Sequence, residues 1–295
     1  MVSNETVAEI MNHQNRVMAV HDISCFGRCS LTVALPILSA AGIETSVIPT
    51  AVLSTHTGGF RGYTFRDLTG DIPGIACHWK SLGLRFDGIY TGYLGSYEQL
   101  TMVSSLFDTF GGSGLICVDP VMADNGVLYP AFRPDFPQGM RQLCKKADVI
   151  VPNLTEAALL LNEPYREGPY TEAYIQDTLK KLAAIGPRRV VLTGVYFDAE
   201  KLGCASYDRE TGEFGRALTR RIEGCYHGTG DVFASALIGA LMKGFSLPEA
   251  SRIAADFTVE SIARTRAAGT DVRFGVDFEE EIPAYVRALG LNART

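Results

Sequence analysis

The chain of 295 residues is short for two large domains and long enough to bury a substantial core without disulfide staples. Its 46% hydrophobic and 20% charged residues are those of a globular protein and exclude a disordered or coiled-coil chain. A net charge of -6 gives no electrostatic footprint for nucleic acid, which demands a clustered Lys/Arg face, while leaving room for a local basic pocket.

In chain order, Asn4, Glu5 and Glu9 stand where a signal peptide would carry a basic start and an apolar core, so no secretory leader is expected. Residues 17–20, Val-Met-Ala-Val, read as a strand ending in His21-Asp22. After a glycine-containing turn a helix is predicted from Ser30. Leu31, Leu35 and Leu38 fall on one face, Pro36 kinks it, and Gly42 ends it. Further strands are expected at 45–48, 88–91, 115–119, 149–151 and 190–193, and residues 202–222 alternate like antiparallel edge strands. From Asp231 onward Val232, Phe233, Ala236, Leu237, Ala240 and Leu241 recur at helical spacing.

Asp22, Thr91, Asp119, Asn153 and Thr193 close or follow predicted strands. In an open parallel sheet ligands bind beyond the carboxyl ends of the strands, so this polar collection reads as one long site. With no internal repeat or linker, residues 1–295 are expected to form one α/β domain. Its three layers would be αβα, around a mostly parallel sheet with antiparallel edge strands. No apolar run approaches the ~20 residues that span a bilayer. The seven cysteines include no C-x-x-C pair and are odd in number, which points to a reducing, cytoplasmic compartment. Cys117, in an apolar run, is expected to be a small buried hydrophobe. No H-E-x-x-H or Cys/His spacing supports zinc at His21, His78 or His227.

The strongest chemical signal is Gly228-Thr229-Gly230-Asp231 at the entry to the apolar helix. Glycines let the backbone approach a ligand, and a first helical turn offers unpaired N–H groups with the positive dipole end. That makes an anion hole suited to a phosphoryl group in transfer. Asp231 at its lip can take the proton from an attacking hydroxyl, or it can simply favour the helix start through the dipole.

This motif resembles the catalytic motif of the ribokinase-like superfamily. Residues 91–96 (Thr-Gly-Tyr-Leu-Gly-Ser), 118–122 (Val-Asp-Pro-Val-Met), 151–156 (Val-Pro-Asn-Leu-Thr-Glu) and 54–57 (Ser-Thr-His-Thr) sharpen the resemblance toward pyridoxal kinases. The segments keep that family's order across residues 17–265. The resemblance implies Asp231 as base, with Gly228, Thr229 and Gly230 as anion hole. It implies Asp119, Asn153, Glu156 and Thr193 at the nucleotide, with Asp119 and Glu156 toward Mg²⁺. Few carboxylates plus phosphate oxygens suit that ion. Thr50 and His56 match the substrate side, and the reading of the pocket adds Asp22 and Tyr93. ATP with Mg²⁺, a small ring-bearing alcohol and a homodimer are also implied, and a monovalent cation such as K⁺ is left open. No Walker A loop is present, which argues against a P-loop kinase.

Asp22 falls where many pyridoxal kinases have Ser and where hydroxymethylpyrimidine kinases carry Asp, so both substrates stay in view. The loop 56–63, His-Thr-Gly-Gly-Phe-Arg-Gly-Tyr, suits a lid in which Phe60 or Tyr63 covers a ring. His227 adjoins the anion hole with a phosphate contact and a structural role both open.

Overall fold

A computed structural model describes residues 14–291, so the N-terminal reading at Asn4, Glu5 and Glu9 lies outside the described residues. The chain runs β1 (Arg16–Ser24), α1 (Leu31–Ala40), β2 (Glu44–Leu53), β3 (Phe65–Asp67), α2 (Ile72–Ser81), β4 (Gly88–Thr91) and α3 (Tyr97–Phe110). It continues with β5 (Leu115–Val118), β6 (Ala123–Asp124), β7 (Val127–Leu128), α4 (Phe136–Cys144), β8 (Val149–Ile150), α5 (Leu154–Leu161) and α6 (Glu172–Ile185). The last elements are β9 (Arg189–Val195), β10 (Lys201–Asp208), β11 (Glu213–Arg220), α7 (Thr229–Met242), α8 (Leu247–Ala268) and α9 (Ile282–Ala288).

One nine-stranded sheet has the order β11-β10-β9-β8-β5-β4-β1-β2-β3, and β6–β7 is a separate hairpin. The pairings from β2 through β1, β4, β5 and β8 to β9 are parallel, and β3, β10 and β11 join antiparallel at the two edges. The mostly parallel sheet with antiparallel edges is therefore as expected.

Strand alternation sorts the core into two layers. Met18, Ile89, Val118, Ile150, Val190 and Leu192 face one cluster, shared with residues of α2 to α6. Val17, Tyr90, Cys117, Val149 and Val191 face the other, built on α1, α7, α8 and α9. Helices thus cover both faces, and Cys117 is buried as expected.

Several boundaries differ from the sequence reading. β1 runs past His21-Asp22 to Ser24, because pairing with β2 resumes beyond an irregularity between His21 and Ile23. β2 likewise continues through Pro49, which pairs opposite His21. β9 passes Thr193 to Val195, and β5 stops at Val118, leaving Asp119 just outside. α1 runs unbroken through Pro36 to Ala40. Its buried face is Leu31, Val33, Ala34, Ile37 and Leu38, while Leu35 is 38% exposed. Small Ala34, not Leu35, completes the apolar stripe against α7.

On the outer side of β11, the Arg252 guanidinium from α8 donates to the carbonyls of Leu218 at 3.0 Å and Arg216 at 3.5 Å. All seven cysteines are free. Among the described residues no helix is long and apolar enough to cross a membrane.

Candidate active site

The carboxyl ends of the parallel strands gather a row of acids. Asp231 lies in the first turn of α7, whose N-terminus no side chain caps. Gly228 precedes it in the left-handed conformation (φ 75°), and a Cβ there would sit 2.0 Å from the Arg28 carbonyl oxygen, so only glycine fits. Gly230 has open space on its outer side. The Thr229 hydroxyl donates to the Tyr226 carbonyl at 3.2 Å, which bends the loop into the helix. The amides of this uncapped turn are the ones expected to bind an anion.

The Asp231 carboxylate accepts one hydrogen bond, from the Ser30 N–H at 2.9 Å. Burial pushes its pKa up to about 7, the Ser30 amide works against that rise, and the negative charge of Asp22 adds to it. Asp22, in β1, is also raised by burial. One of its oxygens takes the Ser24 hydroxyl at 3.4 Å, while the other is buried without a protein partner.

Asp119, just after β5, is raised well above its ordinary range by burial, with the charges of Glu156 and Asp231 behind it. Burial pushes Glu156 up to about 8 against the pull of main-chain amides. Those amides explain its position. Asn153 and Glu156 form a capping box on α5, with the Asn153 side-chain Oδ1 accepting from the Glu156 N–H at 2.9 Å. One Glu156 oxygen accepts from the Asn153 N–H at 2.9 Å and the other from the Met122 N–H at 3.1 Å. The Asn153 amide nitrogen donates to the Ala123 carbonyl at 2.8 Å, tying the cap to the β6–β7 hairpin. Thr193 pairs with Asn153 across the adjoining strands, and its hydroxyl donates to the Pro152 carbonyl at 3.4 Å.

Asp22, Asp231, Asp119 and Glu156 therefore form a continuous electrostatic row. Among the described residues none of the four makes an ion pair with Lys, Arg or His. Such uncompensated burial is expensive and suits a ligand that arrives with positive charge. The described residues hold no cluster of three or more His, Cys, Asp or Glu arranged around a metal, so a cation here would share a pair of acids with its ligand's own oxygens.

The residues expected on the substrate side, Thr50, His56 and Tyr93, lie around Asp22. Burial, with the charges of Asp22 and Tyr63, pushes the Tyr93 phenol up to about 12. The Thr50 hydroxyl donates to the Tyr93 carbonyl at 3.5 Å. Gln99 ties Thr50 to the 93–95 turn: its amide nitrogen donates to the Thr50 carbonyl at 3.1 Å, and its oxygen accepts from the Gly95 N–H at 2.8 Å. His21 is fully buried, driven down to about 3, and stacks edge-on to Tyr90 at 4.4 Å, so it stays neutral under the site.

His56 has both ring nitrogens engaged within the protein. The Gly58 N–H donates to Nδ1 at 3.1 Å, leaving the proton on Nε2 for the Arg273 carbonyl at 2.6 Å. The imidazole is thus a strut of the glycine-rich loop. Phe60 also faces protein: it meets His56 edge-on at 5.0 Å, lies parallel to Phe274 at 6.3 Å, and sits under the Arg273 guanidinium at 5.7 Å. Tyr63 is the aromatic of the loop left exposed. His227 stands 5.2 Å from His56, lowered by burial and by that neighbour, and a Cβ on Gly58 would strike its ring at 2.7 Å.

The sequence reading missed Ser30, Gln99 and the 271–275 turn. Gln99 was accessible, since Ser96-x-x-Gln99 is a capping-box spacing and Ser96 does accept from the Gln99 N–H. The other two depend on contacts distant in the chain, which no local pattern announces.

Residues 75–274 match the phosphomethylpyrimidine kinase family model. A Bacteroides thetaiotaomicron protein assigned to the phosphomethylpyrimidine kinases, crystallised with pyridoxal, is 40% identical, with a TM-score of 0.88 over 96% of this chain and 98% of that one. Pyridoxal kinase from Lactobacillus plantarum is 35% identical, with a TM-score of 0.85 over 93% and 98% of the two chains. The hydroxymethylpyrimidine/phosphomethylpyrimidine kinase of Mycobacterium tuberculosis is 25% identical over 80% of this chain and 83% of that one. The chain is a kinase of the phosphomethylpyrimidine kinase family, within the ribokinase-like group to which the pyridoxal kinases belong.

Proposed function

We propose that the protein transfers the γ-phosphoryl group of ATP to the ring-borne 5′-hydroxymethyl group of a vitamin B6 vitamer. The observation that carries this reading is a carboxylate held near pKa 7 at the uncapped N-terminus of a helix. A base poised there accepts the hydroxyl proton as the oxygen attacks, and the amides of residues 228–230 take up charge on the phosphoryl oxygens. Asp22 accepts a hydrogen bond from the ring nitrogen, and Thr50 and Tyr93 wall the ring. His56 acts through the loop it braces.

Asp119, Glu156, Asn153 and Thr193 form the nucleotide end. Asp119 and Glu156 would hold Mg²⁺ with ATP, since a cation relieves their mutual repulsion. When bound, that ion would screen the phosphate charges. With both Glu156 oxygens already on main-chain amides, Asp119 offers the freer oxygens. A single domain, a homodimer and a cytoplasmic location belong to the same reading, the last supported by seven free cysteines.

A hydroxymethylpyrimidine kinase is the second reading, favoured by the carboxylate at Asp22, to which an aminopyrimidine can donate. A vitamer sensor without turnover has no use for a base at Asp231. ADP release measured with pyridoxal, pyridoxine, pyridoxamine, hydroxymethylpyrimidine and ribose separates these, in the parent and in Asp22→Ala. The substitution should cost the true substrate about 1.5–3 kcal/mol in kcat/KM, the scale of a hydrogen bond to a charged group. Equal, negligible changes for every substrate would remove Asp22 from the pocket.

A further inference from the structure

Ser30 has backbone angles of φ 55° and ψ −127°. That is the first central position of a type II′ turn, a region where glycine is the usual occupant and a Cβ is crowded. The serine there donates its N–H to the Asp231 carboxylate at 2.9 Å.

Backbone held in such a conformation persists only where its surroundings over-determine it. Here they do. The Arg28 N–H donates to the Phe274 carbonyl at 2.8 Å, and the Arg28 side chain pairs with Asp277 at 2.9 Å and Glu279 at 2.6 Å. Gly228 and Gly275 both pack against the Arg28 carbonyl oxygen, so closely that a Cβ would stand 2.0 and 2.5 Å from it. On the other side, the Ser30 carbonyl opens α1 by accepting from the Ala34 N–H at 2.9 Å.

We propose that Ser30 is a positioning residue for phosphoryl transfer, its strained backbone aiming the N–H at Asp231. The inference rests on the function proposed above, in which Asp231 is the base. The strain is the cost of placing an amide donor where a relaxed loop would not, and the 271–279 segment is the brace.

The test compares Ser30→Ala with Ser30→Gly, using pyridoxal and Mg·ATP. Both lose the hydroxyl, so the comparison isolates the backbone. Only glycine relaxes it. Its kcat should fall about tenfold below that of the alanine variant, a fraction of what a 1 Å misplacement costs. Glycine should also melt about 2–4 °C higher than alanine. Equal kcat in the two variants, or a glycine variant that melts lower, overturns the proposal. Parent turnover and its loss in Asp231→Asn are measured alongside. If the parent fails to phosphorylate, or Asp231→Asn still does, the functional reading fails, and the melting comparison continues to report on strain at Ser30. If those controls behave and the two Ser30 variants turn over alike, the positioning role alone is wrong.

Discussion

Asp231→Asn should remove activity and stabilise the ligand-free protein. The carboxyl moves from an ordinary 3.8 to about 7 on folding, so the native state holds a proton that the unfolded chain releases. Stability therefore falls as pH rises from about 4 through about 7, and is flat above. Three pH units correspond to about 4 kcal/mol as an upper bound. Asp231 keeps some contact with solvent, so about half of that, ~2 kcal/mol, is the working figure. Asparagine is neutral, has the same shape, and still accepts the Ser30 N–H. The variant should melt about 4–8 °C above the parent at pH 8, taking a few degrees per kcal/mol for a chain of this size. At pH 5.5 the native carboxyl is already protonated, and the advantage should shrink to about half. Meanwhile kcat should fall by roughly 10²–10⁴, with ATP binding little changed. Differential scanning calorimetry at the two pH values, without nucleotide or Mg²⁺, checks the first part. A variant no more stable than the parent at pH 8, or an advantage independent of pH, would refute the argument that burial tunes this base.

Glu156→Gln should raise the Mg²⁺ concentration needed for half-maximal turnover, with added Mg²⁺ recovering part of the loss; an unchanged Mg²⁺ dependence would leave Glu156 as a helix cap alone. Gly92→Ala places a Cβ 2.4 Å from His21 Nδ1, in a fully packed region, and should cost about 1–3 kcal/mol in urea unfolding. A cost below about 0.5 kcal/mol would mean that the His21 ring can swing aside.

The parallel sheet was legible because its strands are short apolar runs that end in polar residues, and Asp119 and Thr91 stand where that pattern puts them. The antiparallel pair in residues 202–222 was legible from alternation. The Gly-Thr-Gly-Asp turn into α7 was legible because glycines stand directly before a run of apolar residues at helical spacing. Less accessible was anything set by packing between distant segments. Leu35 looks like a core residue until α7 is seen to need small Ala34 there. His56 looks like a free donor until the Arg273 carbonyl, 217 residues away, takes its proton. Phe60 looks like a cover for a ligand ring until Phe274 occupies its face. β2 runs through Pro49, past the expected end at Ile48, because a register shift opposite Asp22 lets pairing with β1 resume.

A wide sheet ends in two rims of unpaired peptide groups, and such rims invite other chains to add on. At one rim the three residues of β3 are all exposed, too few to template a partner strand, and two of them are the charged Arg66 and Asp67. At the other, β11 is eight residues long and would be the more dangerous seam. There the Arg252 guanidinium occupies the Leu218 and Arg216 carbonyls, while Arg216 and Arg220 are themselves tethered to Glu172 and Glu260. A side chain from α8 thus stands in for the missing neighbour strand. An arginine blunts the sheet's long margin, and a chain adding to β11 would first have to displace it from these two carbonyls.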